Sequence, residues 1–166
     1  MIEWARFEYE FEKSNPEQTK VFEKAILTSI DGIKSWLKEH EGVAQDYLAL
    51  GGIYGVKARF ELANRKYIKA YFSGKKGIKY MNKAAKLSPE MYDAYLGEAI
   101  YQYYAGTLPA VVKVLAKLVG SADAQKGIDY LYLIKDKGKF SADTAKLLLV
   151  EISIHNEKYY DPLLAA

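Results

Sequence analysis

Residues 77–101 read GIKYMNKAAKLSPEMYDAYLGEAIY, and this stretch decides the fold class of the chain. Small residues recur at positions that a helix would bury, and Ser88-Pro89-Glu90 divides the stretch in two. A capping residue followed by proline and an acid is typical of a helix start. The pattern therefore predicts two helices that meet at Ser88, which is the basic unit of many helical repeats.

The same signals predict helices along nearly the whole chain. No segment shows sustained period-two alternation with β-branched residues, so the sequence indicates an all-α fold without a sheet. Asn15-Pro16-Glu17 marks a second helix start, and Gly42, Gly120 and Gly138 stand where left-handed C-terminal caps are expected. The predicted helices span residues 2–13, 16–40, 43–63, 66–87, 89–105, 109–119, 122–137 and 141–157.

A short motif recurs along the chain: GIKSW begins at Gly32, GIKYM at Gly77 and GIDYL at Gly127. The last two copies lie 50 residues apart, so the predicted unit is a helical hairpin of about fifty residues. Such a unit cannot bury its apolar side alone and must stack on its neighbours. Within the hairpin, Gly51 and Gly77 are expected where two helix axes approach closely.

The number of glycines in this region supports that expectation. Glycine inside a helix costs up to about 1 kcal/mol relative to alanine. Glycines at positions 51, 52, 55, 74 and 77 therefore predict a packing requirement. The alternative is that they break the helix into a ligand-binding loop, although no phosphate-loop spacing accompanies them.

The stretch from Gly77 to Ala99 resembles the tetratricopeptide repeat, a helical hairpin of 34 residues. The residues that match the family's small, large, proline and aromatic positions are Gly77, Met81, Ala84, Pro89, Tyr95 and Ala99. A second match is carried by Tyr47, Leu50, Gly51 and Tyr54. Glu98 and Gln102 depart from the pattern, and a unit of about fifty residues is longer than the family's.

Units of this length are similar to the divergent, long-helix tetratricopeptide-like proteins of bacteria. The resemblance implies antiparallel hairpins stacked as a right-handed superhelix, no catalytic activity, and a groove that binds a protein or peptide segment. Carried over position by position, it implies a groove lined by Gln45, Asp93, Tyr103, Tyr104, Asp143 and Lys146. A second hypothesis is that the chain is an architectural segment of a longer solenoid, whose own helices fill the groove.

Positive charge is concentrated between residues 51 and 86, which carry ten basic residues and one acid. Six lysines with helical spacing are expected along one side of their helix, namely Lys66, Lys69, Lys76, Lys79, Lys83 and Lys86. The opposite side is expected to carry Tyr67, Ala70, Tyr71, Gly74, Ile78, Met81 and Ala85. Such a stripe is typical of a solvated surface, or alternatively of a module that binds nucleic acid or an anionic membrane surface. Lysines lack the bidentate geometry of arginine, which argues against nucleic acid.

The residue types that carry most catalysis and metal binding are scarce. The chain has no cysteine, which excludes disulfides, thiolate metal ligands and a catalytic thiol. Its two histidines, His40 and His155, lack the HxxxH or HExxH spacing of a metal site. Neither a GxSxG motif nor a phosphate-binding glycine loop is present. We therefore expect no metal, no cofactor and no enzymatic activity.

Length and composition predict a single globular domain over residues 1–166, interpreted as a fragment of a longer protein. The N-terminus lacks the apolar core of a signal peptide, and no apolar run reaches the ~18 residues of a membrane span. The compartment stays open between the cytoplasm and, if an export signal is missing, the periplasm or a lipid anchor. The apolar segment 108–120 is expected to be a buried helix, with a membrane-interface helix as the alternative. The partner's identity and the oligomeric state are left open.

Overall fold

The computed structural model of the protein describes residues 16–107 and 122–155. These residues form six α-helices and one short 3₁₀-helix, and among them there is no strand, which confirms the all-α prediction. The predicted helices 2–13 and 109–119 lie outside the described residues, as do the predicted caps at Asn15 and Gly120. The helices are α1 (Pro16–Glu39), α2 (Ala44–Ala63), α3 (Tyr67–Leu87), the 3₁₀-helix (Tyr92–Tyr95), α4 (Leu96–Thr107), α5 (Ala124–Lys137) and α6 (Ala142–His155).

Five of the six α-helices start and end within two residues of the predicted bounds, and the exception is α4. The predicted start at Ser88-Pro89-Glu90 is wrong. The amide of Met91 donates to the carbonyl of Ser88 at 3.0 Å and closes a turn instead. A 3₁₀-helix follows, and the α-helix begins only at Leu96. The Tyr95 hydroxyl donates back to the Pro89 carbonyl at 3.2 Å and holds this tight geometry.

The chain divides into two compact units, residues 1–80 and 81–166, and the boundary falls within α3. In the first unit, α1 packs on α2 in antiparallel orientation, since Phe22 near the start of α1 meets Phe60 near the end of α2, with ring centroids 5.5 Å apart. The helices α2 and α3 are also antiparallel, because Ser73 reaches Glu61 while Tyr80 stacks on Tyr54. The core of this unit consists of Phe22, Ile26, Ile30, Leu50, Tyr54 and Phe60.

The second unit is built around α5, which packs against both α4 and α6. The helices α4 and α5 run antiparallel, because Gln102 accepts from the Asp123 amide at 2.7 Å while Tyr95 stacks on Tyr130. The turn between α5 and α6 is only four residues long, which places them side by side in opposite directions. The core of this unit consists of Ala99, Tyr103, Ile128, Leu131, Ile134, Ala145, Leu149 and Ile152.

Each unit contains one crossing where a glycine allows two helix backbones to touch. A Cβ atom on Gly77 would lie 3.1 Å from the Gly51 carbonyl oxygen and 3.3 Å from the Gly55 amide nitrogen, which confirms the predicted close approach. In the second unit, a Cβ atom on Gly127 would lie 2.5 Å from the Tyr103 amide nitrogen and 2.8 Å from the Ala99 carbonyl oxygen. The motif that recurs after 50 residues therefore marks equivalent backbone contacts.

The other helical glycines for which a packing requirement was predicted do not allow two helix backbones to touch. A Cβ atom on Gly52 or Gly55 would meet nothing within 4 Å, so the packing requirement predicted for these two positions is wrong. On Gly74 it would make an ordinary contact of 3.8 Å with Ala58. The first copy of the motif also differs, because Gly32 is exposed and has open space around it.

The predicted left-handed caps at Gly42 and Gly138 are wrong as well, since neither residue has a positive φ. Gly138 is extended, with φ −69° and ψ 143°. A Cβ atom built on Gly138 would lie 2.6 Å from the Ile134 carbonyl oxygen, so the close contact with α5 leaves no room for a side chain. The left-handed residue among those described is Arg65, with φ 58°.

Arg65 belongs to a Schellman motif that ends α2. The Lys66 amide donates to the Glu61 carbonyl at 2.7 Å, and the Arg65 amide donates to the Leu62 carbonyl at 2.9 Å. These are the two hydrogen bonds that define the motif, in which glycine is the usual residue at the left-handed position. An arginine there costs about 1–2 kcal/mol in backbone strain.

We predict that Gly127→Ala lowers the free energy of unfolding by about 3 kcal/mol, because the new methyl group would overlap backbone atoms that cannot rotate away. Gly32→Ala serves as the control and should raise stability by up to about 1 kcal/mol, since open space surrounds it and alanine favours the helix. Urea unfolding followed by circular dichroism measures both. Equal effects of the two variants would contradict the crossing at Gly127.

We predict that Arg65→Gly raises the free energy of unfolding by about 1 kcal/mol, because glycine adopts the left-handed conformation without a steric penalty. Arg65→Ala is the matched control and should change stability much less, since alanine retains the Cβ atom that causes the strain. Thermal unfolding of the three proteins measures the difference. A glycine variant no more stable than the alanine variant would show that position 65 is not strained.

Candidate functional site

The helices α4 and α6 lie side by side and parallel in the second unit. Asp93, just before α4, contacts Ser141 just before α6, and Tyr104 near the end of α4 contacts Glu151 near the end of α6. The last contact is a hydrogen bond of 3.1 Å from the Tyr104 hydroxyl to a Glu151 carboxylate oxygen. The helix α5 packs against both of them, and each of the two helices also carries exposed residues.

These exposed residues include large apolar side chains. Leu147 and Ile154 are each 72% exposed and lie two turns apart on α6, opposite the buried Leu149. Tyr104 is 42% exposed on α4, and Ile100, which lies one turn before it, is partly exposed. Contiguous exposed apolar side chains on a protein surface mark binding sites. We refer to Ile100, Tyr104, Leu147, Glu151 and Ile154 as the α4–α6 face.

Four of the six predicted groove residues are exposed. Tyr104 belongs to the α4–α6 face, and Asp143 and Lys146 lie on the same helix as Leu147, joined to each other by an ion pair of 3.0 Å. The Asp143 side chain is 88% exposed, so this pair is screened by water and contributes little to stability. Gln45 is exposed on α2, in the first unit.

The other two predicted groove residues are buried. Tyr103 belongs to the core of the second unit and packs at the α4–α5 crossing beside Gly127. Asp93 is 3% exposed, so it does not present its carboxylate at a surface. Asp93 and Asp143, both implied groove residues, therefore lie in opposite environments.

The Asp93 carboxylate holds the turn between α5 and α6. One oxygen accepts from the amides of Phe140 and Ser141 at 2.8 and 2.6 Å, and the other accepts from the amide of Lys139 at 3.0 Å. Burial raises the pKa of Asp93, but the hydrogen bonds from these amides and from the Ser141 hydroxyl outweigh it and hold the pKa below its ordinary value. The carboxylate therefore stabilises the fold in its charged form.

We predict that Asp93→Asn lowers the free energy of unfolding by about 1–3 kcal/mol at pH 7, because the asparagine amide group cannot accept from all three backbone donors. The folded-state pKa lies below the unfolded one, so the carboxylate's contribution is complete above about pH 4 and is lost as pH falls through the folded value. The difference in the free energy of unfolding between wild type and variant should therefore become smaller below pH 4. Urea unfolding at several pH values measures it.

Asp143→Asn is the control for this experiment, since its carboxylate is exposed. It should change stability by no more than about 0.5 kcal/mol at any pH. If the difference in the free energy of unfolding between wild type and Asp93→Asn stays constant down to the lowest pH, the Asp93 carboxylate is not charged and hydrogen-bonded as described.

The predicted lysine stripe is exposed along its whole length on α3 and the residue before it. On the opposite side, Tyr67 and Tyr71 are exposed, whereas Ala70 and Met81 are buried. The buried residues of α3 are Ala70, Ser73, Gly77, Met81 and Ala84. The first unit thus exposes lysines and aromatic side chains on the same helix.

The one acid among residues 51–86 lies inside the first unit. Glu61 is buried, forms an ion pair with Lys57, and accepts a hydrogen bond of 2.6 Å from the Ser73 hydroxyl. A buried charge of this kind is stable only when paired and hydrogen-bonded. The negative charge of Glu61 therefore adds almost no negative potential to the surface of the α2–α3 hairpin.

The described part of the chain contains neither a metal-binding cluster nor a membrane-spanning helix. Between residues 16 and 107 and between 122 and 155, no cluster of three or more histidine, aspartate or glutamate side chains is arranged to hold a metal ion. His40 stacks on Trp36 with ring centroids 3.6 Å apart, and its Nδ1 lies 3.1 Å from the Trp36 carbonyl oxygen. Within the same ranges, no helix has the length and apolar content that a membrane crossing requires.

Sequence reasoning missed the apolar members of both exposed surfaces. Leu147 and Ile154 repeat at helical spacing, but α6 is apolar on two sides and its periodicity does not show which side is buried. Ile68 and Phe72 stand four residues apart among the lysines of α3, and this interruption of a charged face was the available signal.

No family model matches the sequence, and neither a curated protein nor a solved structure matches it. We therefore infer its function from the geometry of the described residues.

Proposed function

We propose that the protein is a non-catalytic scaffold of tetratricopeptide-like helical hairpins that binds a protein or peptide segment on the α4–α6 face. The observation that carries the proposal is the pairing of two parallel helices that contribute to one core and also expose Tyr104, Leu147 and Ile154. Aromatic and aliphatic side chains at the centre of a polar surface are typical of binding hot spots.

The arrangement of α4, α5 and α6 supports the tetratricopeptide-like architecture. In such repeats, the second helix of one hairpin packs against the first helices of its own and the next hairpin, and the first helices line the groove. The helix α5 contacts both α4 and α6, which run parallel to each other. The right-handed superhelix is part of the same proposal, together with the groove position of Tyr104.

The hydrogen bond between Tyr104 and Glu151 gives the α4–α6 face a defined shape. It links the two helices near their C-terminal ends and restricts the Tyr104 ring, so that less side-chain entropy is lost when a partner binds. A short apolar segment of the partner would cover Leu147 and Ile154, while Asp143 and Lys146 supply charges of both signs at the edge. The expected partner is therefore an amphipathic peptide.

We predict that random peptides selected for binding to the full chain bind the α4–α6 face. Leu147→Asp should weaken their affinity by about tenfold or more, because burial of a leucine contributes about 1.5 kcal/mol or more and a buried unpaired charge is unfavourable. Fluorescence anisotropy with labelled peptides measures the dissociation constants. Circular dichroism should show that the variant remains folded, since Leu147 is exposed.

Ile68→Asp is the matched control, because Ile68 is similarly exposed but belongs to the first unit. Peptide affinity should be the same for this variant and for wild type. Peptides that bind wild type and Leu147→Asp equally would refute the α4–α6 face as the site. If no peptide is selected at all, the architectural hypothesis, in which other helices of a longer solenoid cover this face, replaces the scaffold function.

A further inference from the structure

The end of the α2–α3 hairpin exposes positive charge without negative charge of its own. Between Glu61 and Glu90 the sequence contains no acid, and Glu61 is buried and paired with Lys57. The segment from residue 62 to residue 79 carries six basic residues, of which Lys66 lies 3.6 Å from Glu23 of α1. The charge of this surface therefore complements an anionic partner.

The same segment exposes four large apolar side chains in the first two turns of α3. Ile68 is 76% exposed and Phe72 is 57% exposed, and Tyr67 and Tyr71 lie beside them. Tyr67 and Tyr71 are four residues apart, as are Ile68 and Phe72, and Ile68 and Tyr71 are three apart, so these pairs are neighbours on the helix surface. We refer to these four residues as the α3 patch, and it lies opposite the buried side of the helix that contains Ala70 and Gly77.

Lysines surround the α3 patch. Lys69 lies within it in sequence, and Lys75 and Lys79 lie in the next two turns of the same helix, whereas the Lys76 ammonium lies 5.7 Å from the centroid of the Tyr54 ring of α2. The Lys75 ammonium lies 5.8 Å from the centroid of the Tyr71 ring, so its alkyl chain covers the edge of the patch while its charge stays at the surface. Apolar and cationic groups therefore face the same direction.

We propose that this surface binds an anionic phospholipid bilayer, a property independent of the peptide-binding function proposed above. Ile68 and Phe72 would enter the boundary between headgroups and acyl chains, Tyr67 and Tyr71 would lie at headgroup level, and the lysines would contact lipid phosphates. A protein held in this way lies on the membrane surface and does not span it.

Three features favour a bilayer over a nucleic acid as the partner. The most exposed member of the patch is Ile68, which cannot stack on a base. Tyr71 and Phe72 meet edge to face, at 72° between ring planes, and form no parallel slot for bases. The surrounding cations are mainly lysines, which act as point charges and not as bidentate phosphate ligands.

Co-sedimentation of the full chain with vesicles tests this inference. Vesicles of phosphatidylcholine containing about a third phosphatidylserine should bind the protein in moderate salt, whereas pure phosphatidylcholine vesicles should bind at least tenfold less. Ile68→Ser/Phe72→Ser should reduce the partition coefficient by about tenfold or more through the loss of buried apolar area. Lys75→Glu/Lys79→Glu should reduce it by about 30-fold or more, since each lysine contributes roughly fivefold.

Two matched controls distinguish binding through the α3 patch from non-specific binding to vesicles. Lys20→Glu/Lys24→Glu changes the same number of exposed lysines on α1, and Leu147→Ser removes an equally exposed aliphatic side chain from the second unit. Both should bind vesicles within about threefold of wild type.

Three results would overturn the inference. The first is wild-type binding that does not depend on phosphatidylserine. The second is an equal loss of binding in the control variants and in those of the α3 patch. The third is patch-dependent binding of single-stranded oligonucleotides by a protein that does not bind the vesicles, which would assign the surface to nucleic acid.

Discussion

The structure depends on helix backbones that touch without an intervening side chain. At Gly127 the nearest atoms of the partner helix are the Tyr103 amide nitrogen and the Ala99 carbonyl oxygen, and at Gly77 they are backbone atoms of Gly51 and Gly55. Backbone atoms cannot rotate away as a side chain can, so these contacts determine the distance between the helices. Large residues such as Leu131 and Leu50 then fill the space beside each crossing and are completely buried.

A helix held by a narrow contact of this kind has one buried side, and its other side is available for binding. The two units expose different side chains there. In the first unit, α3 exposes apolar side chains beside lysines. Of the acids described near them, Glu61 is buried and Glu23 belongs to α1. In the second unit, the α4–α6 face is apolar with charges of both signs at its edge. The first suits an anionic partner, and the second suits a partner without strong net charge.

Local signals in the sequence were sufficient for most of the helices and for the glycine crossing of the first unit. Periodicity and caps predicted five of the six α-helices within two residues, and the close approach of Gly51 and Gly77 was predicted, whereas Gly127 was identified only as a copy of the motif. The structural role of Asp93 was not predictable in this way, because its carboxylate binds amides 46 to 48 residues further along the chain. The left-handed Arg65 was missed because glycine is the residue that usually signals such a position.

The candidate surfaces were only partly predictable for a related reason. The lysines of α3 were correctly placed on an exposed side, since charged groups are rarely buried. Apolar residues are more ambiguous, because they lie on both sides of α3 and α6, and only the packing of neighbouring helices decides which are covered. Tyr103 and Tyr104 illustrate this, since adjacent tyrosines of one helix take a core position and a surface position.

The long-range hydrogen bonds of Asp93 also constrain the order in which the second unit can form during synthesis. Its partners are the amides of Lys139, Phe140 and Ser141, which leave the ribosome only after the whole of α4 and α5 has been made. Until then the Asp93 carboxylate is solvated by water, and the residues before α4 lack these three hydrogen bonds. The hydrogen bond from the Ser141 amide therefore cannot form until 48 further residues have been translated after Asp93.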